Sequence, residues 1–232
     1  MGKDVIIACD FADARQTLAF LDRFPGRKPF VKIGMELFYA EGPGIVRQLR
    51  ERGHKVFLDL KLHDIPNTVK KAMRVLSALE VDITNLHAAG TRAMMEAALE
   101  GRTRPDGTRP LLIAVTQLTS TPQEALESEL LIGRPMEEVV SRYAENARAA
   151  GLDGVVCSPL EANRVHAVCG NGFLTVTPGV RFRENDAGDQ KRIMTPAEAR
   201  TAGSDYIFVG RPVTGAADPA EAYERCVREF VG

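Results

Sequence analysis

The sequence predicts a single (β/α)8 barrel, and three observations lead to this fold class. Eight short apolar runs recur along 232 residues, segments of helical periodicity separate them, and no composition shift divides the chain. Alternation of strand and helix is typical of a parallel sheet. A doubly wound open sheet usually has about five or six strands, whereas eight βα units in about 230 residues match a barrel. We therefore expect one barrel domain over residues 1–232.

Each predicted strand is a short apolar run bounded by polar residues, glycine or proline. Between these runs, apolar residues recur at helical spacing, as at Val69, Met73 and Leu76 in one segment and at Val139 and Tyr143 in another. The predicted strands are VIIACD (5–10), FVKIGM (30–35), KVFLDLK (55–61), DITNLHA (82–88), LLIAVTQL (111–118), GVVCSP (154–159), FLTVTPG (173–179) and DYIFVG (205–210). Strands and helices therefore alternate along the chain.

Composition and charge exclude several classes of partner. The net charge of -1 argues against a broad phosphate-backbone footprint, and therefore against nucleic acid. The four cysteines are scattered without a CxxC pair, so we expect reduced thiols. No apolar run suits a signal peptide or approaches the ~20 residues that span a bilayer. We expect a cytoplasmic protein that has no membrane partner.

Two connections after predicted strands are longer than a barrel requires. Residues 119–134 separate the fifth strand from its helix, and residues 180–194 follow the seventh strand. Loops that follow strands form the catalytic face of a barrel, and long loops in compact domains are often lids or binding loops. We expect both segments on that face, with 180–194 as a lid. Solvated insertions without a role are the alternative.

Charged residues interrupt the apolar strands near their carboxyl ends. Asp59 and Lys61 are two residues apart, so we expect them on the same strand face, pointing into the barrel. Lys32 takes a similar place in the second strand, and Asp10 ends the first. Four ionisable side chains thus converge at the C-terminal mouth, where barrel enzymes place their chemistry. An ion-pair network that only fixes strand register is the alternative.

The loops after the last two strands have the features of a phosphate site. Barrel enzymes frequently bind phosphate with these two loops. Gly179 and Gly210 let backbone N–H groups approach an anion, and Arg181 and Arg211 offer charge-assisted donors. A Gly-Arg pair alone is a weak signal, but two such loops at the expected places indicate a phosphorylated small molecule.

The ordered motifs of the chain resemble those of one enzyme family. They are FVKIG, FLDLKLHDIPNTV, VTQLTS, TPGVRF and DYIFVGRPVT, together with Asp10 and Gln190. In this order they resemble the orotidine 5'-monophosphate decarboxylases of the bacterial type over the whole chain, and the most specific element is D-x-K-x-x-D-I-P-N-T with the second-strand lysine. The resemblance implies a cofactor-free, homodimeric barrel that converts orotidine 5'-monophosphate to uridine 5'-monophosphate at the subunit interface.

The resemblance also implies roles for individual residues. Lys61 is implied to be the proton donor in an alternating network with Lys32, Asp59 and Asp64, and Asp64 and Thr68 are implied to reach into the partner's site. The remaining positions are implied to contact substrate: Asp10 and Lys32 the ribose, Thr119 the pyrimidine, Arg181, Gly210 and Arg211 the phosphate, Gln190 the phosphate and base, and Ile65 the substrate beside Asp64. No metal is implied.

Three other interpretations stay open at this point. A metal-dependent sugar-phosphate decarboxylase or aldolase of the same barrel superfamily shares D-x-K-x-x-D, although Lys32 would repel a divalent cation. A catalytically silent phosphate-binding barrel would be expected to have lost part of the charged set. Asp64 by itself fits an ordinary cap for a helix that begins near Pro66.

Overall fold

Eight parallel strands form a closed barrel in the part of the chain that the computed structural model describes, which is residues 3–104, 106–183 and 194–232. Each strand pairs with its sequence neighbours, and β1 pairs with β8 to close the sheet. The strands are β1 Asp4–Ala8, β2 Phe30–Ile33, β3 Val56–Leu62, β4 Ile83–His87, β5 Leu111–Val115, β6 Gly154–Val156, β7 Leu174–Thr177 and β8 Tyr206–Val209. The predicted (β/α)8 barrel is confirmed.

Helices follow the strands and cover the outside of the barrel. They are α1 Ala14–Leu21, α2 Met35–Glu41, α3 Pro43–Glu51, α4 Pro66–Ser77, α5 Thr91–Arg102, α6 Gln123–Ser128, α7 Met136–Ala149, α8 Ala162–Cys169, α9 Pro196–Thr201, α10 Arg211–Thr214 and α11 Pro219–Phe230. Short 3-10 turns cover Ala88–Gly90 and Pro159–Glu161. None of these helices is long and apolar enough to cross a membrane.

The strand residues that point into the barrel change from apolar to polar along the strand direction. Their first layer is a buried apolar cluster that includes Ile6, Phe30, Phe57, Ile83 and Phe208. The Phe57 and Phe208 rings stack with centroids 5.2 Å apart. Because side chains alternate between the two faces of a strand, the next inward position lies two residues further on. The apolar layer therefore forms a floor beneath the residues that follow it.

An aspartate precedes each of β4, β6 and β8 and fixes the start of the neighbouring strand. Asp82 accepts the backbone N–H of Val56 at 2.8 Å, and Asp153 accepts that of Leu112 at 2.8 Å. Asp205 repeats the arrangement with the N–H of the second residue of β7 at 2.8 Å. These carboxylates satisfy strand N–H groups at the N-terminal face, where barrel residues serve stability rather than catalysis.

Several predicted boundaries were wrong, and the differences have local causes. The first strand ends at Ala8, so Asp10 lies in the loop after it. The fifth strand ends at Val115, and residues 116–118 belong to the following loop. The 119–134 segment is only partly a loop, because Gln123–Ser128 forms a helix from Gln, Glu, Ala and Leu, which are good helix formers.

The connection after β7 is described only at its two ends. Val180 pairs with Met194 in an isolated bridge, and the Arg181 N–H donates to the Met194 carbonyl at 2.9 Å. Residues 184–193, which include Gln190, lie outside the described residues. The predicted lid and the role of Gln190 therefore stay predictions.

Candidate active site

A cavity of about 360 Å³ opens at the C-terminal mouth of the barrel. This volume falls in the ~300–1,000 Å³ range of small-molecule sites. The residues that line it include eight that the sequence singled out: Asp10, Lys32, Asp59, Lys61, Thr119, Arg181, Gly210 and Arg211. The structure thus brings Asp10 of the loop after β1, the charges of β2 and β3, and the two arginines after β7 and β8 to one cavity.

The charged residues form one chain of alternating sign along the cavity wall. Asp10 Oδ1 lies 2.9 Å from Lys32 Nζ, and Lys32 Nζ lies 3.5 Å from Asp59 Oδ2. Asp59 Oδ1 in turn accepts a hydrogen bond of 2.7 Å from Lys61 Nζ. Lys32 and Asp59 are buried, whereas the Lys61 side chain keeps 26% of its surface exposed and the Asp10 side chain 62%. Lys61 is therefore the more exposed of the two lysines that line the cavity.

Lys61 reaches the cavity through a bulge rather than by regular alternation. Leu58 pairs with Thr84 and Leu62 with Leu86, so three residues of β3 lie between these pairs where β4 has one. Within this bulge Lys61 has a φ of 51°, a left-handed value that is uncommon for a residue with a side chain. Such a conformation costs on the order of 1–3 kcal/mol and persists only where the surroundings enforce it. The sequence prediction placed Lys61 correctly but missed this distortion.

The network sets the protonation states of its buried members. Burial lowers the pKa of Lys32, but the carboxylates of Asp59 and Asp10 outweigh burial, and the net shift is upward from 10.5. Burial raises the pKa of Asp59, but Lys32 and Lys61 outweigh it, and the net shift is downward from 3.8. Both groups are therefore charged at neutral pH, as an electrostatic site requires.

These shifts predict how the network contributes to stability as pH changes. Asp59 stabilises the fold above pH 3.8, and this contribution is lost as pH falls through its lower folded pKa. Lys32 stabilises the fold below pH 10.5, and this contribution is lost as pH rises through its higher folded pKa. We expect the advantage in unfolding free energy of wild type over Asp59→Asn to shrink as pH falls below about 4. Urea unfolding at several pH values measures it, and a difference that stays constant as pH falls further would contradict the assignment.

The loops after β7 and β8 supply the other side of the cavity. Gly179 has a φ of 79°, which a residue with a side chain rarely adopts, and it turns the chain towards Arg181. Arg181 is buried and lines the cavity. Gly210 precedes α10, and Arg211 is the first residue of that short helix. Two arginines therefore line the cavity, and guanidinium groups are suited to bind an anionic group of a ligand.

Three predicted site residues lie outside this cavity. Asp64, Ile65 and Thr68 are exposed, Ile65 to 67%, and none of them lines it. The alternative of Asp64 as a helix cap is wrong, because α4 starts after Ile65 and no side chain caps its N-terminus. Asp64 Oδ1 instead accepts the N–H of the next residue at 2.6 Å.

Sequence reasoning overlooked two residues that shape the charged network. Asn85 is fully buried and donates from Nδ2 to Asp59 Oδ1 at 2.7 Å. Its signal was present, because it follows Ile83 by two residues as Asp59 follows Phe57. Gly34 is the second, since a Cβ there would lie 3.0 Å from Lys32 Nζ. Its lack of a side chain leaves room for the lysine.

The fold and the site together define a (β/α)8-barrel enzyme with its charged groups at the C-terminal mouth. The chain belongs to the Orotidine 5'-phosphate decarboxylase / HUMPS family, whose model matches residues 3–226. This membership agrees with the family resemblance of the ordered motifs.

Individual relatives are similar over their full length. The chain is 52% identical to orotidine 5'-phosphate decarboxylase of Bacillus cytotoxicus, covering 100% of this chain and 99% of that protein. It is 53% identical to the enzyme of the same name from Geobacillus sp. (strain WCH70), covering 100% and 98%. The crystal structure of orotidine 5'-phosphate decarboxylase from Lactobacillus acidophilus is similar with a TM-score of 0.90 at 40% identity, covering 99% and 100%.

Proposed function

We propose that this chain is a carboxy-lyase that converts orotidine 5'-monophosphate to uridine 5'-monophosphate without a cofactor, in pyrimidine biosynthesis. The observation that carries the proposal is the Lys61 ammonium, held 2.7 Å from Asp59 in the same cavity as Arg181 and Arg211. A lysine ammonium and two guanidinium groups in one cavity match a nucleotide that carries both a carboxylate and a phosphate. The names of the full-length relatives support the same reaction.

The proposed chemistry depends on the charge that develops at pyrimidine C6. The bond between C6 and the carboxylate carbon breaks, CO2 leaves, and the electron pair stays on C6 in the ring plane. Lys61 stabilises this pair electrostatically and then transfers a proton from Nζ to C6, after which solvent reprotonates the amine. At ~4 Å and an effective dielectric near 20, opposite unit charges attract by about 4 kcal/mol, or roughly a thousandfold in rate.

The carboxylates keep Lys61 charged and aimed. Asp59 Oδ1 accepts a hydrogen bond from Lys61 Nζ, and Asp59 Oδ2 forms an ion pair with Lys32. A carboxylate close to the substrate carboxylate also raises the energy of the bound substrate, but this effect is contested. We assign Asp59 the first role because charge pairing alone supports it. Asp10 and Lys32 are proposed to contact the ribose, and Thr119 the pyrimidine.

A second copy of the chain is proposed to complete the site. Asp64 and Thr68 follow Lys61 closely in sequence but lie outside the cavity, exposed to solvent. Between them, Ile65 exposes 67% of its surface. In a homodimer related by two-fold symmetry, each chain would give these residues to the other's site. Gln190 is proposed to contact phosphate and base.

The phosphate is proposed to contribute to turnover as well as to affinity. Binding energy from a remote group can be used at the reacting carbon, so a truncated substrate loses kcat in addition to raising KM. We expect orotidine, which lacks the phosphate, to be decarboxylated at least about a hundredfold more slowly at saturation than the nucleotide. Steady-state rates with both compounds measure this, and equal kcat values would contradict the role of the phosphate.

The experiment that tests the function follows the loss of orotidine 5'-monophosphate absorbance with purified protein. We expect turnover in EDTA equal to that in Mg²⁺. A metal-dependent sugar-phosphate enzyme of the same family would require the cation, and it would act on a sugar phosphate instead. Lys32, which already contacts two carboxylates at this site, disfavours a divalent cation there. Absence of turnover, or its loss in EDTA, would overturn the proposal.

A further inference from the structure

Asn85 is a neutral residue of β4 that contacts both members of the Asp59–Lys61 pair. It lies in the middle of β4 and has no solvent exposure. Its Nδ2 donates to Asp59 Oδ1 at 2.7 Å, and its Oδ1 accepts the backbone N–H of Lys61 at 2.8 Å. One amide therefore contacts both halves of the pair.

The orientation of this amide follows from its partners. A backbone N–H can only donate, so the atom that faces Lys61 must be the oxygen. The nitrogen then faces Asp59, whose charged carboxylate can only accept. The two hydrogen bonds are thus mutually consistent, and a flipped amide would satisfy neither. Residues that lack one of these two functions cannot replace asparagine here.

Asn85 also lies opposite the bulge that carries Lys61. Thr84 pairs with Leu58, and Leu86 pairs with Leu62. Asn85 is therefore the one β4 residue between these pairs, and it lies opposite residues 59–61 of β3. The bulge removes the Lys61 N–H from the regular ladder, and the Asn85 side chain supplies the acceptor in its place. The left-handed backbone of Lys61 is therefore held from the neighbouring strand.

We propose that Asn85 is a positioning residue that sets the place of the Lys61 ammonium by holding the Lys61 backbone and the Asp59 carboxylate at once. The inference rests on the proposed decarboxylation and deepens it. Asn85 does not line the cavity, so it acts through the two charged residues and not on substrate. Among the described residues, its side-chain hydrogen bonds go to Lys61 and Asp59, and none goes to the loops after β7 and β8 that are proposed to bind the phosphate. Its loss should therefore lower kcat and leave KM nearly unchanged.

Asn85→Ala tests this with orotidine 5'-monophosphate as substrate. A displacement of about 1 Å at a reacting group costs on the order of a hundredfold in rate, so we expect kcat to fall by about that factor with KM within about threefold. Thr84→Val is the matched control, because Thr84 is equally buried on the same strand and donates to the Leu58 carbonyl at 3.2 Å, before the bulge. We expect the control to lose stability but keep kcat.

The variant Asn85→Asp distinguishes a role in positioning the Lys61 ammonium from a purely structural role of Asn85. Its second oxygen would face Asp59, and two carboxylates at this distance share a proton. When the new carboxyl group is protonated it can donate to Asp59 as the amide did. We therefore expect kcat of Asn85→Asp to rise relative to wild type as pH falls, whereas the pH profile of Asn85→Ala keeps the wild-type shape.

The outcomes distinguish the inference from the function on which it rests. If the wild-type chain shows no turnover, the proposed function fails. If wild type and Thr84→Val turn over and Asn85→Ala keeps kcat within about threefold, or changes only KM, the positioning role is overturned. If Asn85→Ala does not fold by circular dichroism, the pH profile of Asn85→Asp decides, and a profile parallel to wild type overturns the inference.

Discussion

Replacement of Lys61 with alanine is expected to abolish turnover of orotidine 5'-monophosphate while leaving the barrel folded. In the proposed mechanism, the variant loses both the cation that faces C6 and the proton donor. The electrostatic part is worth roughly a thousandfold, and general acid catalysis typically contributes about 10²–10⁴-fold. We expect kcat to fall by about 10⁵-fold or more. Single-turnover assays at high enzyme concentration measure such a loss.

The control for Lys61→Ala is Lys55→Ala, which removes a lysine just before the start of β3. Lys55 precedes β3, its side chain is 62% exposed, and its nearest acid is Asp4 at 3.6 Å. Removal of this exposed charge is expected to change kcat by less than about twofold, because exposed ion pairs contribute little. Equal losses in Lys55→Ala and Lys61→Ala would indicate general destabilisation. Retention of kcat in Lys61→Ala would contradict the proposed chemistry.

Mixing Lys61→Ala chains with Asp64→Ala chains is expected to restore activity that neither homodimer has. In the mixed dimer, one site combines Lys61 of the Asp64→Ala chain with Asp64 of the Lys61→Ala chain, and it is intact. The other site lacks both residues. With random exchange, half of the dimers are mixed, so we expect about a quarter of the wild-type activity.

The mixing experiment needs a control that shows that chains exchange between dimers and that recovery depends on Asp64 from the partner. The control mixes chains that carry Lys61→Ala with chains that carry Asp59→Ala. Each chain supplies both Lys61 and Asp59 to its own site, because the two residues contact each other within one chain, so neither site of a mixed dimer is intact. Their mixture is expected to stay inactive under identical conditions. Recovery in both mixtures, or in neither when mass spectrometry shows that chains have exchanged, would contradict a site that Asp64 completes from the partner.

The local pattern of the sequence was enough for the barrel and for most of the cavity wall. Phe30 and Lys32, and likewise Phe57 and Asp59, follow the alternation of a strand, so an apolar floor with charges above it could be predicted. The same rule applied to Ile83 points to Asn85. It was overlooked because a neutral amide is unremarkable until its charged partners are known.

Other features depend on contacts between different segments of the chain, which a local sequence pattern does not predict. The bulge at Lys61 exists because three residues of β3 lie opposite one residue of β4, which is a property of both strands together. The pairing of Asp10 with Lys32 likewise depends on the loop after β1, where the predicted strand ran too far. Asp64, which is proposed to serve another copy of the chain, is a third case, since within one chain it looks like any exposed loop residue.

The most direct test of the central claim follows the fate of C6 in heavy water. The ammonium of Lys61 exchanges its protons with solvent, so protonation by it delivers deuterium to the carbon that lost CO2. With the wild-type chain, EDTA and orotidine 5'-monophosphate in D2O, we expect uridine 5'-monophosphate with one deuterium at C6 for each CO2 released, read by proton NMR. The same mixture with Lys61→Ala should give no product on this timescale. Deuterated product formed equally by both chains would contradict the account.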